Sequence, residues 1–167
     1  MKNKRPALLE FSSLAELYRH FDRIFLSGGM SNEITSTCGR VVKIFDHHFF
    51  HLVKLDHPDK PRPLKMASEK SIILSTTSGF GEYTYDKQRA IYLESAMACL
   101  ACPDEVWEDA TLHSARWVYL KFFDTTPYSC TIMMVGERKG EGLVPVTSFP
   151  GKGGDAKRKR RGVRIYP

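Results

Sequence analysis

Residues 45–56, FDHHFFHLVKLD, set three imidazoles (His47, His48, His51) and the Lys54 ammonium among large apolar side chains. Imidazole takes up and releases protons near neutral pH, and a fixed ammonium beside it can balance developing negative charge. The chemistry within reach is general acid–base catalysis against a hydrophobic wall.

Two periodicities compete for the elements that hold these groups. As a helix, the segment turns Phe45, Phe49, Leu52 and Val53 inward and leaves His47, His51 and Lys54 on one polar face. As a strand, it puts Asp46, His48, Lys54 and Asp56 on one face and Phe45, His47, Phe49, His51, Val53 and Leu55 on the other. The helix separates polar from apolar better and is the expected form. In either form His51 lies near Lys54 or His48, close enough for two groups to act on one substrate. The bland alternative is a set of surface histidines on an amphipathic segment.

The surrounding elements follow from pattern. Residues 12–26 begin with serines able to cap and carry Leu14, Leu17, Tyr18, Phe21, Ile24 and Phe25 at helical spacing. Residues 27–39 are rich in Gly, Ser and Thr and read as a loop. Residues 40–44 lead into the histidine segment as a short strand or helix start, and the three prolines of residues 56–63 imply an exposed turn. Residues 71–77 lean towards strand, followed by the turn GFGEYTYD. Residues 85–101 read as a second helix, stopped by Pro103. After it, residues 106–110, 116–123, 129–137 and 143–149 are β-rich runs with turn signals between them. The expected class is α+β, with helices packed on a four-stranded antiparallel sheet. Residues 1–39 form an N-terminal helix and linker, 40–150 the main domain and 151–167 a basic tail.

The net charge of +6 belongs to that tail: Lys152, Lys157, Arg158, Lys159, Arg160, Arg161 and Arg164 face only Asp155, and the rest of the chain is neutral. Such an arm reads as a polyanion-binding element. With too few apolar residues to fold alone, it is expected to stay mobile until a polyanion arrives. Cys99 and Cys102 form a CxxC without the second pair a structural zinc site needs, so the four cysteines read as buried free thiols. No apolar run approaches the roughly 18–20 residues that span a bilayer, and MKNKRP is not followed by a signal-peptide core. The expected location is the cytoplasm, away from membranes.

With the element order in place, the segments DHHFFHLVKL, YDKQRA, ACLACPDEVWED, RWVYLKFF and VPVTSFP resemble the phage-type nucleases of the barnase, EndoU, colicin and RelE superfamily, over residues 40–150. The resemblance implies a microbial-RNase-like fold and a toxin-like endoribonuclease that needs no metal or other cofactor. It implies RNA as substrate, with transfer RNA among the candidates, and leaves room for a cognate immunity or antitoxin protein. It makes His51 and His48 the acid/base candidates and Lys54 the phosphate neutraliser, with Arg89, Thr147 and Ser148 placed to grip the phosphate. The residue types fit that chemistry, which needs a base for the 2′-OH, an acid for the 5′-oxygen and cations or hydroxyls on the phosphate. Lys157, Arg158, Lys159, Arg160 and Arg161 would capture the RNA. Two rivals stand beside this reading. One is a metal-dependent hydrolase using the HHxxH cluster. The other is a non-catalytic nucleic-acid-binding module using the tail and aromatics such as Tyr83, Tyr85 and Tyr119.

Overall fold

The computed structural model describes residues 8–109, 116–123, 130–139, 142–152, 160 and 162–167. In chain order these form α1 (Leu14–Phe21), a π-helical turn (Asp22–Leu26), β1 (Ser31–Thr35), β2 (Val41–Phe45), α2 (His48–Leu52), α3 (Met66–Ser75), α4 (Lys87–Ile91) and α5 (Leu93–Ala101). The rest is strand: β3 (Glu105–Asp109), β4 (Arg116–Phe123), β5 (Cys130–Lys139), β6 (Gly142–Lys152) and β7 (Val163–Tyr166). No helix among the described residues is long and apolar enough to cross a membrane.

The α+β class stands, and β3 to β6 form the expected antiparallel meander. The sheet is wider than four strands, with order β1-β2-β6-β5-β4-β3-β7. The hairpin β1–β2 joins it through a parallel contact of Val42 with Leu143, and β7 lies antiparallel on β3 at the other edge. Residues 27–39 are therefore not all loop. Strand β1 buries Ile34 alone, so its sequence shows no alternation to detect. Residues 71–77 are also not strand. Ile72, Ile73 and Leu74 belong to α3, where burial of Ile73 outweighs the β preference of the run.

Helix α1 starts as its sequence implies: the Glu16 N–H donates to the Ser13 hydroxyl, and the Glu16 carboxylate accepts from the Ser12 N–H. Its apolar face brings Tyr18 edge-on to Phe49 at 5.1 Å and Phe21 to Phe49 at 5.3 Å. Residues before position 40 thus share one core with the histidine segment and the sheet. Helix α5 packs on β4 and β5 over Tyr119 and Met134, while Val118 and Leu120 gather with Trp107 and Phe122 in a second, smaller cluster. The expected single helix of residues 85–101 breaks at Tyr92, which ends α4 and begins α5.

A bulge between Val135 and Gly136 shifts the β5–β6 register. A Cβ on Gly136 would stand 2.7 Å from the Leu143 side chain, which is 2 % exposed. Gly136→Val is expected to cost about 1–3 kcal/mol through overpacking. The check is a lower denaturant midpoint at unchanged slope.

Candidate active site

Neither period of the histidine segment runs its full length: the structure is strand, turn, helix and cap in succession. Phe45 ends β2, and its backbone N–H donates to Nδ1 of His48 at 3.0 Å across the turn. His48 is 4 % exposed, with its ring edge-on to Phe45. Helix α2 is only His48–Leu52, so the expected polar helical face of His47, His51 and Lys54 does not form. His47 caps the helix, exposed, with Nδ1 3.9 Å from Asp46.

The C-terminal end of α2 brings Lys54 into the site. The Leu55 N–H donates to the Phe50 carbonyl at 2.9 Å and the Lys54 N–H to the His51 carbonyl at 3.4 Å, a Schellman arrangement. Lys54 takes the left-handed position, at φ 51°, where glycine is the usual occupant. A lysine there carries a conformational cost of about 1–2 kcal/mol.

Beside this cap opens a hollow of about 730 Å³, with His51, Lys54, Asp86 and Arg89 on its polar side and Phe50 and Tyr85 on its apolar side. The Asp86 carboxylate accepts from the Gln88 and Arg89 N–H groups, capping α4, and lies 3.5 Å from the Arg89 guanidinium. That guanidinium also donates from Nη1 to the His51 carbonyl at 3.2 Å, joining α4 to α2. Asp56, the other carboxylate of the hollow, is ion-paired with Arg62. A second hollow of about 520 Å³ adjoins the first, sharing His51, Pro63 and Leu64, and adds His47, Lys65 and Lys70.

His51, Lys54 and Arg89 therefore meet in one cleft, whereas His48 lines neither hollow. Both α2 and α4 pack on β6, the strand that carries Thr147 and Ser148. These stand opposite Val135 and Met134 in the register, and their side chains lie outside the described structure. Sequence reasoning missed the roles of Asp86, Lys65 and Lys70. An acid opening a helix is an N-cap signal that could have found Asp86. Nothing in the sequence marks the two lysines.

The loop after α2 is less exposed than its prolines imply. Lys60 reaches inward, donating to the Glu69 carboxylate at 2.5 Å and to the Tyr83 hydroxyl at 2.6 Å, and Tyr83 also donates to Glu69. Burial alone would raise the Glu69 pKa, but these hydrogen bonds outweigh it and hold the carboxyl below its ordinary range. Tyr83 and Tyr119 are buried and unavailable for stacking on a base.

The HHxxH imidazoles do not converge on a metal position. Among the described residues, the one group of potential ligands close enough together is His57, Asp59 and Glu82. There the Asp59 N–H donates to Nδ1 of His57, so a neutral ring carries its proton on Nε2, the nitrogen facing Glu82 at 3.5 Å. Of the cysteines, Cys99 is buried, and its thiol pKa is pushed up by that burial. Cys102 is exposed, contrary to expectation.

The expected mobile tail is anchored on both sides of position 161. Arg160 holds Glu105 through two 2.7 Å hydrogen bonds, and β7 pairs with β3. Burial acts to raise the Glu105 pKa, yet the Arg160 and Trp107 hydrogen bonds prevail and lower it. Lys157, Arg158, Lys159 and Arg161 lie outside the described residues.

No curated protein and no solved structure matches the chain. A family model does match, over residues 48–167, from the first residue of α2 through β7. By that match the chain belongs to the phage-Barnase-EndoU-ColicinE5/D-RelE like nuclease 2 family.

Proposed function

We propose that this nuclease is a metal-independent endoribonuclease that uses the substrate's own 2′-OH as nucleophile. The observation that carries the reading is the convergence of His51, Lys54 and Arg89 on one partly apolar hollow. His51 removes the 2′-OH proton, O2′ attacks phosphorus, and the bond from phosphorus to O5′ breaks. The proton taken up by the imidazole in the first half is returned to the departing 5′-oxygen, so that the step balances. Lys54 and Arg89 offset the charge that builds on the phosphoryl oxygens. The resemblance adds a hydroxyl donor from β6, Thr147 or Ser148, since successive strand residues face opposite sides of the sheet. His48 is assigned to holding the turn through its bond to Phe45.

The two carboxylates of the cleft are already committed, Asp56 to Arg62 and Asp86 to the α4 N-terminus, which favours proton transfer over metal ligation as their neighbours' work. The basic stretch of residues 157–161 adds long-range attraction for the polyanion, with Arg160 also fastening the strand to Glu105. A toxin role, with an immunity or antitoxin protein as partner, belongs to the same reading.

Incubation with total RNA and with transfer RNA in chelator should yield 2′,3′-cyclic phosphate and 5′-hydroxyl ends. DNA, lacking the 2′-OH, should survive. Cleavage that chelator abolishes, or 3′-hydroxyl products, would overturn the proposal.

A further inference from the structure

The two hollows adjoin along His51, Pro63 and Leu64. Each has the volume of a small-ligand site, and each is open to solvent. Their linings differ. The first is walled by Phe50, Leu55 and Tyr85. The second holds Lys65 and Lys70, with Asp46 as its acid and no Phe, Tyr or Trp. Asp46 already leans towards His47, and neither lysine has an ion pair among the described residues.

Tyr85 is held as a rigid plate. Its ring stacks on Phe80 with centroids 4.3 Å apart and planes at 22°. The residue before it exchanges two 2.9 Å backbone hydrogen bonds with Asp56, and the residue after it donates to the Val53 carbonyl at 2.9 Å. A fixed, partly exposed aromatic in a polar-edged hollow is suited to an unstacked base. A pair of ammonium groups without a carboxylate partner among the described residues, Lys65 exposed and Lys70 over the Tyr18 ring at 6.0 Å, is suited to a backbone phosphate.

We propose that the groove takes a single-stranded oligoribonucleotide across His51, one base stacked on Tyr85 in the first hollow and the neighbouring nucleotide's phosphate held by Lys65 and Lys70 in the second. This rests on the endoribonuclease reading for the identity of the strand and adds its path and polarity of contacts. Base-paired RNA is excluded from the first hollow because its bases offer no free face.

The test is binding of a 2′-O-methyl tetranucleotide, which cannot be cleaved, and of a nucleoside 3′-monophosphate, each titrated at several salt concentrations. Tyr85→Ala should weaken both ligands roughly 5- to 150-fold, the range measured for loss of one aromatic stack. Tyr85→Phe should bind like the wild type, because the ring face and not the hydroxyl makes the contact. The double variant Lys65→Ala with Lys70→Ala should flatten the salt slope for the tetranucleotide by about 0.7, the value for one phosphate contact on a single strand, and leave the monophosphate unaffected. Lys65 is exposed at the N-cap of α3 and Lys70 is half-buried within it, so thermal melts of the double and the two single variants separate loss of binding from loss of fold. Unchanged tetranucleotide affinity in Tyr85→Ala, or an unchanged slope in the lysine variant, overturns the path. If the binding pattern holds while RNA is not cleaved, the cleavage reading fails and the groove stands. If RNA is cut at the parental kcat/KM by both variants, the groove fails and cleavage stands.

Discussion

His51→Ala is expected to lower the rate of RNA cleavage by roughly 100- to 10,000-fold, the range that a positioned acid–base group contributes. The substitution removes an exposed ring that lines both hollows. It leaves in place the backbone carbonyl that accepts from Arg89 and Lys54. Alanine is the best helix former, so α2 loses nothing in propensity. Thermal melting should therefore match the parent while single-turnover cleavage of a defined oligonucleotide collapses. His47→Ala and His48→Ala serve as companions. A His51→Ala rate above about one tenth of the parent, with no larger loss in either companion, would make the cluster structural.

The second large effect separates stability from activity at one residue. Lys54→Gly relieves the cost of a side chain at φ 51° but adds freedom to the unfolded chain, so folding stability should stay level or rise by up to about 1 kcal/mol. Cleavage should fall roughly 100-fold, as when one preorganised transition-state donor is removed. Lys54→Met removes the charge and keeps the left-handed strain, so it should share the loss of rate without the gain in stability. Denaturant melts and kcat on the same three proteins decide the matter. A Lys54→Gly variant that cuts at the parental rate would show that the lysine is a cap tolerated for other reasons.

The parts of this fold that could be read from sequence are those where one period persists. Leu14, Leu17, Tyr18 and Phe21 all fall on the buried face of α1, and RWVYLKFF is β4 to the residue. The illegible parts are short or overruled by packing. Strands β1 and β7 have only five and four residues, and β7 takes its partner β3 from distant chain, which no local pattern announces. Helix α3 hides behind isoleucines, and its start at Met66 lacks a side-chain cap. The candidate site was legible in residue types and not in geometry. A strand, a turn and a five-residue helix share twelve positions, so each period lasts too briefly to win, and neighbouring histidines end in opposite settings. His48 goes under the turn, where its Nδ1 accepts from the Phe45 N–H, while His51 lines the cleft beside the C-terminal cap of α2.

The parallel contact between Val42 and Leu143 closes a chain loop of about one hundred residues. The meander from β3 to β6 is built from neighbours in sequence and can form without that closure. The cleft draws its lining from residues 50–89, and α2 and α4 are tied to each other directly, through Arg89 to the His51 carbonyl and the Asp86 N–H to the Val53 carbonyl. Contacts as far apart along the chain as Val42 and Leu143 are entropically costly and form slowly. The join between hairpin and meander is thereby the slow-forming seam of this sheet, whereas His51, Lys54 and Arg89, the groups of the cleft proposed to act on RNA, lie within about forty residues of one another along the chain.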